Sequence, residues 1–233
     1  MKELIGILAG MGPRSTAPFV DLVVDECQRQ YGARDDDEFP PMMIYALPAP
    51  FYLDRPIDHG ALRAAIQAGL RKLASTGVAF VAMPCNTAHI FYDDLAAAID
   101  VPLLNMLDEA LRAMPASAVR VALLATRPTV EAGIYQAAAA RAGVELAHTS
   151  RWQAQVDGLL SAIKSSPDRQ EAEGKWRHLL DDLAASEIDT ILLACTDLNA
   201  VSRAHAGLAV LDATQCLAAA TVREWRARQT ATA

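Results

Sequence analysis

The chain has 233 residues, of which 52% are hydrophobic, and its formal net charge is −7. A chain of this length and composition can bury a substantial core, either as one large α/β domain or as two lobes of about a hundred residues each. The acidic balance disfavours nucleic acids and anionic membranes as partners, because both select basic surfaces. The N-terminal apolar run is too short for a signal peptide, and no stretch is long enough for a membrane helix, so we expect a cytoplasmic protein.

Short aliphatic runs alternate along the chain with alanine-rich stretches of helical period. The predicted strands lie at 4–8, 42–47, 78–83, 101–104, 119–124, 188–194 and 208–211. The predicted helices lie at 15–30, 59–75, 107–113, 129–142, 153–164, 170–185 and 214–228. This alternation predicts an α/β fold in which a mostly parallel sheet is flanked by helices.

The two halves of the chain follow the same plan, which suggests a duplication. Each half starts with a strand, at Leu4 or Val119, and later reaches a buried strand that ends in a cysteine, Cys85 or Cys195. We therefore predict two pseudo-symmetric α/β lobes, 1–104 together with 207–233 and 105–206. An active site in the cleft between the lobes would then have the two cysteines on opposite walls.

The four cysteines, at 27, 85, 195 and 216, lie far apart and form no C-x-x-C pair. This spacing predicts neither a disulfide framework nor a zinc site. Cys27 and Cys216 are interpreted as core or surface residues. The sequence has no H-E-x-x-H run, and its glycine-rich opening lacks the third glycine of a dinucleotide loop, so we expect no metal, nucleotide or flavin.

Ligands of open α/β sheets bind at the carboxyl ends of strands, where Cys85 and Cys195 are predicted to lie. The polar residues that follow, Asn86 with Thr87 and Thr196, are placed to orient the thiols and to hydrogen-bond a carboxylate. An isolated cysteine at such a position is more often a small core residue, and that alternative stays open for each one. Two cysteines in matched positions favour a paired role, because stereoinversion at carbon needs a base on one face and an acid on the other. A thiol, with a pKa of about 8.5, is readily tuned for either task.

The cysteine runs resemble the two signatures of the aspartate/glutamate racemase family, as MPCNTAH at 83–89 and LLACTDL at 192–198. The opening IGILAGMGP at 5–13 resembles that of aspartate racemases, and Asp54-Arg55 resembles their substrate-loop arginine. The resemblance extends over nearly the whole chain. It implies two lobes related by pseudo-twofold symmetry, a homodimer, and catalysis without pyridoxal phosphate or metal.

The resemblance also implies a role for particular residues. Cys85 and Cys195 would be the catalytic acid/bases. The α-carboxylate and amino group of the substrate would be held by Asn86, Thr87, Thr126 and Thr196, with Met11 lining the floor. Arg55 and Lys164 would face the side-chain carboxylate, which implies an acidic amino acid as the small-molecule partner.

The leading hypothesis is therefore a racemase of aspartate, with glutamate as the next substrate. The alternatives are a racemase of broader specificity, another two-cysteine activity of the superfamily such as hydantoin racemase or maleate isomerase, and a non-catalytic amino-acid-binding module. Decarboxylases of the superfamily keep only the second cysteine, whereas this chain has both. For His89 two roles are open, tuning the Cys85 thiol or capping and packing the next helix.

Overall fold

The computed structural model describes residues 2–52, 55–202 and 208–231. The chain divides into two compact units, Met1–Met106 with Thr214–Ala233 and Leu107–Ala213. Each unit has a parallel sheet accompanied by helices, which confirms the predicted α/β class.

The sheet of the first unit is formed, within the described residues, by β1 (Ile5–Ala9), β2 (Met42–Ala46) and β3 (Phe80–Ala82). Its order is β2-β1-β3 and all pairs are parallel, so helices must return the chain between strands. These connections and the flanking helices are α1 (Thr16–Tyr31), α2 (His59–Ala74), α3 (Tyr92–Ala96) and α9 (Ala213–Ala231), whereas α4 (Met106–Arg112) leads from Met106 into the second unit. Every residue of β1 and β3 is buried, as expected for parallel strands covered on both faces.

The described part of the second unit contains β4 (Val121–Ala125), β5 (Leu146–Ala147), β6 (Thr190–Ala194) and β7 (Ala209–Asp212). The order is β5-β4-β6-β7, again all parallel. Its helices are α5 (Arg127–Glu131), α6 (Ile134–Arg141), α7 (Ser150–Ser165) and α8 (Gln170–Ala184). In both units the first strand lies between the second and the third, so the topology repeats as the predicted duplication requires.

The structure differs from the predicted elements in several places, and it includes the helix α3 (Tyr92–Ala96), which was not predicted. The predicted strand 101–104 reduces to a single bridge between Val81 and Leu103. The predicted helix 129–142 is broken into α5 and α6 by Gly133, whose φ of +67° is left-handed and interrupts the helical hydrogen bonds. The strand β5 was not predicted, because two residues are too few to show a periodic pattern.

The predicted lobe boundaries also differ from the observed division. The sequence predicts that 207–233 belongs to the first lobe, whereas β7 hydrogen-bonds in register with β6, from Thr190 with Ala209 to Leu193 with Asp212. This strand therefore belongs to the second unit, and the chain returns to the first unit as α9 begins.

Candidate active site

Cys85 lies just beyond the carboxyl end of β3, at the margin of the apolar core of the first unit. The chain passes through the buried residues Met83 and Pro84, and the amide of Cys85 donates to the carbonyl of Met83 at 2.8 Å. Cys85 itself is partly exposed. Cys85 therefore lies at the end of a buried strand and is partly accessible to solvent, as expected for a residue that contacts a ligand.

The residues after Cys85 turn at once into a short 3₁₀ helix, Thr87–Phe91. Asn86 immediately precedes this turn and is 3% exposed, and Thr87 is 6% exposed. Because the turn has only five residues, little helix dipole is available at Cys85. Polar side chains must supply any stabilisation of charge here.

His89 is buried and its two ring nitrogens have different partners. Nδ1 lies 2.8 Å from the carbonyl oxygen of Cys85, and the amide of Met106 donates to Nε2 at 3.1 Å. A carbonyl oxygen can only accept and an amide N–H can only donate, so the proton is on Nδ1 and the ring is neutral. The ring also stacks on Tyr92, with centroids 5.8 Å apart. Of the two roles left open for His89, the geometry favours packing and holding the Cys85 backbone.

Met11 reaches the same edge of the first sheet, because β1 and β3 are parallel neighbours. It follows Gly10 at the end of β1 and packs, partly buried, against the core that Cys85 borders. Gly10 has a φ of +91°, and a Cβ there would lie 2.5 Å from the amide nitrogen of Leu47. Only glycine fits this turn, so the glycine-rich opening serves close backbone packing beside the strand end.

Arg55 lies on the connection between β2 and α2 and is exposed. Its guanidinium carbon is 4.2 Å from the ring centroid of Tyr52, which is itself 47% exposed. Asp54, quoted with Arg55 in the family resemblance, lies outside the described residues. The structure therefore shows Arg55 stacked on an exposed aromatic ring of its own loop.

Cys195 occupies the matching position in the second unit, directly after β6, and is 7% exposed. The register between β4 and β6 pairs Ala125 with Ala194, so Thr126 and Cys195 are the next residues on adjacent strands. Thr126 is also 7% exposed, and its hydroxyl is 2.8 Å from that of Thr129. Thr196, likewise buried, opens a second five-residue 3₁₀ helix, Thr196–Ala200. The carboxyl end of the second sheet therefore holds Thr126, Cys195 and Thr196.

Lys164 lies in the last turn of α7, which packs against the 3₁₀ helix that follows Cys195. Its Nζ is 3.2 Å from Oδ2 of Asp197, whose side chain is only 9% exposed. The family resemblance implies that Lys164 faces a substrate carboxylate, and it assigns no role to Asp197. The available signal for Asp197 was its position two residues after Cys195 in the LLACTDL run, but nothing local in the sequence pairs it with Lys164.

The other two cysteines are buried, so of the two interpretations left open by the sequence, core or surface, the structure shows the core. Burial raises the pKa of the Cys27 thiol, the nearby Glu26 carboxylate adds to the rise, and a hydrogen bond with Tyr31 opposes it. At neutral pH Cys27 is therefore a protonated thiol of the core. Cys216 is 9% exposed near the start of α9.

Each unit thus contributes one cysteine at the carboxyl end of a buried strand, followed by a short turn of buried polar residues. Such a thiol can remove a proton as thiolate or deliver one as thiol. Among the described residues no group of three or more His, Cys, Asp or Glu is arranged to hold a metal ion. None of the described helices is long and apolar enough to span a membrane.

Comparison with known proteins shows the family of this chain. The chain belongs to the Asp/Glu/hydantoin racemase family, whose sequence profile matches residues 8–221, and this confirms the resemblance noted from the two cysteine runs. The chain is 44% identical over 227 residues to the broad specificity amino-acid racemase RacX of Bacillus subtilis (strain 168), covering 97% of this chain and 100% of that protein.

Two solved structures illustrate the shared fold. An aspartate racemase of Picrophilus torridus superposes with a TM-score of 0.82 at 25% identity, covering 96% of this chain and 94% of that one. A glutamate racemase of Thermus thermophilus in complex with beta-chloro-D-alanine has a TM-score of 0.63 at 23% identity, covering 98% of this chain and 82% of that one.

Proposed function

We propose that this chain is an amino-acid racemase in which Cys85 and Cys195 act as alternating base and acid at the α-carbon. The observation that carries the proposal is the equivalent position of the two thiols. Each follows the third strand of its own sheet at the carboxyl end, and each is followed by a five-residue 3₁₀ helix with buried polar side chains. Family membership supports the same reaction.

The proposed reaction starts with one thiolate and one thiol. The thiolate takes the proton from the α-carbon, the electron pair of the broken C–H bond delocalises toward the α-carboxylate, and the thiol donates a proton to the opposite face. One C–H bond breaks and one forms, so no oxidant or reductant is needed. The roles of Cys85 and Cys195 exchange in the reverse direction. The mechanism requires both thiols to reach the same α-carbon, and the predicted cleft between lobes is part of the proposal.

Polar groups beside the thiols are proposed to bind the α-carboxylate and the amino group. These are Asn86, Thr87, Thr126 and Thr196, and Met11 is proposed to line the floor. All four polar residues are at least nine-tenths buried, so their hydrogen bonds to a bound substrate would be little weakened by water.

For the substrate we propose aspartate, with glutamate next, as members of a broader set. Two observations favour the broader range over strict acidic specificity. Lys164 forms an ion pair with Asp197, and the exposed Arg55 places its guanidinium over the ring of Tyr52. The name of the Bacillus subtilis relative also indicates broad specificity for that protein. The homodimer and the cytoplasmic location expected from the sequence stay predictions.

The test is proton NMR of the purified protein in deuterated buffer, without added pyridoxal phosphate, followed by chiral analysis of the product. The substrates are L-aspartate, L-glutamate, L-asparagine, L-alanine and L-lysine, with a 5-substituted hydantoin as comparison. We expect deuterium at Cα together with the D-enantiomer. Exchange with the hydantoin alone would make the chain a hydantoin racemase, and saturable binding without any exchange would make it a binding module.

Cysteine variants test the two-thiol mechanism directly. Cys85→Ser and Cys195→Ser should each lower the racemisation rate by about 10²–10⁴-fold, the usual contribution of a general acid or base. One-sided exchange without inversion can survive in either variant. The controls are Cys27→Ala in α1 and Cys216→Ala in α9. Each removes a buried thiol to which the proposed mechanism gives no role. Normal racemisation in both serine variants would rule the mechanism out.

A further inference from the structure

We infer that the ion pair between Lys164 and Asp197 determines the substrate range of this site. By compensating the charge of Lys164, Asp197 lets the site accept amino acids that have no side-chain carboxylate. The inference rests on the proposed racemase function, and it makes Asp197 a specificity-determining residue. Nothing local in the sequence indicates the pairing, because the two residues lie on α7 and on the 3₁₀ helix after β6.

The pair is close to the Cys195 thiol along the chain. Asp197 is two residues beyond Cys195, and two residues of chain span at most about 7 Å. The packing of α7 against Thr196–Ala200 brings Lys164 to the same place. An amino acid whose α-carbon meets Cys195 would therefore bind in the neighbourhood of this ion pair.

Asp197 is shielded from water and Lys164 is partly exposed, so the charge of the carboxylate is the less screened of the two. The Asp197 side chain is 9% exposed and that of Lys164 is 32% exposed, with 3.2 Å between Nζ and Oδ2. Charges at this depth are screened far less than surface charges. While both are present the local charge is balanced; if one is removed, the other becomes an uncompensated charge beside the substrate.

The balance has a definite consequence for selectivity. With the pair intact, an anionic, a neutral and a cationic side chain meet no net charge from these two residues. Without Asp197, the lysine would attract an anionic side chain; without Lys164, the aspartate would attract a cationic one. At this burial we expect either loss to change relative substrate preference by about tenfold to a hundredfold.

The experiment measures kcat/KM for racemisation of L-aspartate, L-asparagine and L-lysine by Asp197→Asn, Lys164→Met and the double variant. Asparagine has the shape of aspartate without its charge, so the aspartate-to-asparagine ratio isolates electrostatics. Asp197→Asn should raise this ratio by about tenfold or more, Lys164→Met should raise the lysine-to-asparagine ratio similarly, and the double variant should return both ratios toward wild type.

A matched control comes from an exposed ion pair in the same unit, between Lys175 and Glu171 of α8. Glu171→Gln should leave both ratios unchanged, since the carboxylate is 74% exposed and its charge is screened. If Asp197→Asn does not fold, Lys164→Met alone still tests whether the lysine-to-asparagine ratio of kcat/KM rises.

Two different failures are distinguishable. Wild-type protein that exchanges the α-proton of no amino acid overturns the proposed function, and this inference with it. Wild-type racemisation combined with unchanged ratios in folded single variants overturns the inference alone. An equal loss for all three substrates, not restored in the double variant, would show that the pair serves packing instead of selectivity.

Discussion

At the scale of single residues, His89 connects the backbone of Cys85 to a distant part of its unit. Its Nδ1 donates to the carbonyl of Cys85, and its Nε2 accepts from the amide of Met106, seventeen residues further along the chain. With both nitrogens engaged, His89 is suited to positioning the cysteine and not to moving protons. Tyr92, stacked on His89, holds the neighbouring segment through a hydrogen bond to the carbonyl of Leu103 at 2.8 Å.

Replacing His89 by alanine should lower the free energy of unfolding by about 2–4 kcal/mol, because a buried amide loses its acceptor and a buried ring leaves a cavity. Tyr92→Phe, which removes only one hydroxyl hydrogen bond, is the milder comparison at about 1 kcal/mol. Urea denaturation of both variants makes the measurement. A His89→Ala protein with wild-type stability, but an altered pH profile of racemisation, would return His89 to the role of a proton-transfer group.

At the scale of elements, two glycines with open space around them should respond to substitution in opposite directions. Gly133 separates α5 from α6 with a φ of +67°, whereas Gly158 lies inside α7 with ordinary helical backbone. A Cβ added at either position would meet nothing within 4 Å. Backbone conformation alone therefore decides the outcome.

Gly158→Ala should raise the free energy of unfolding by about 0.5–1 kcal/mol, since alanine restricts the unfolded chain and favours the helix. Gly133→Ala should lower it by about 1 kcal/mol, since alanine is strained in the left-handed region. The two variants serve as controls for each other in one set of thermal unfolding curves. Equal effects of the same sign would contradict the break that the structure shows between α5 and α6.

At the scale of the whole molecule, the first unit is completed from the far end of the chain. Glu26 of α1 accepts hydrogen bonds from Gln215 of α9 at 2.6 Å and from Gln30 at 2.9 Å, and it pairs with Arg29. Gln30 also donates to the carbonyl of Ala219. Burial pushes the pKa of Glu26 upward, but hydrogen bonds from Arg29 and Gln30 and the charge of Arg29 outweigh burial and lower it below its ordinary value.

The sign of this shift predicts how Glu26 contributes to stability. A carboxyl with a lowered folded-state pKa stabilises above its unfolded pKa of about 4.3, and the contribution is lost as pH falls through the folded value. Glu26→Gln should therefore lower the free energy of unfolding by about 1–3 kcal/mol at pH 7, and by less below about pH 4. Glu224→Gln, whose partner Arg228 lies one turn away on α9, should change it by less than about 0.5 kcal/mol. If the loss in free energy of unfolding for Glu26→Gln stays constant with pH, the packing of the side chain, and not its charge, matters at this position.

Much of the fold, and the family, could be predicted from local patterns. Buried parallel strands are continuous apolar runs, so β1, β4 and β6 were found within two residues of their observed ends. Helix starts follow short-range signals: at the start of α2 the Asp58 carboxylate accepts a hydrogen bond from the amide of Ala61. The cysteine runs are contiguous in sequence, which is why the family could be recognised from them and confirmed by comparison.

The sequence by itself determined the α/β class, the repeated plan of the two halves and the family, because each depends on residues that are neighbours along the chain. Only the tertiary structure decided that Lys164 pairs with Asp197, that His89 joins Cys85 to Met106, and that β7 extends the second sheet. Each of these contacts joins residues that are distant in sequence, and the packing of helices and strands brings them together. A local sequence pattern indicates which residues are favoured in the core or need a charge partner. Which residues become partners depends on how the folded backbone brings distant segments together.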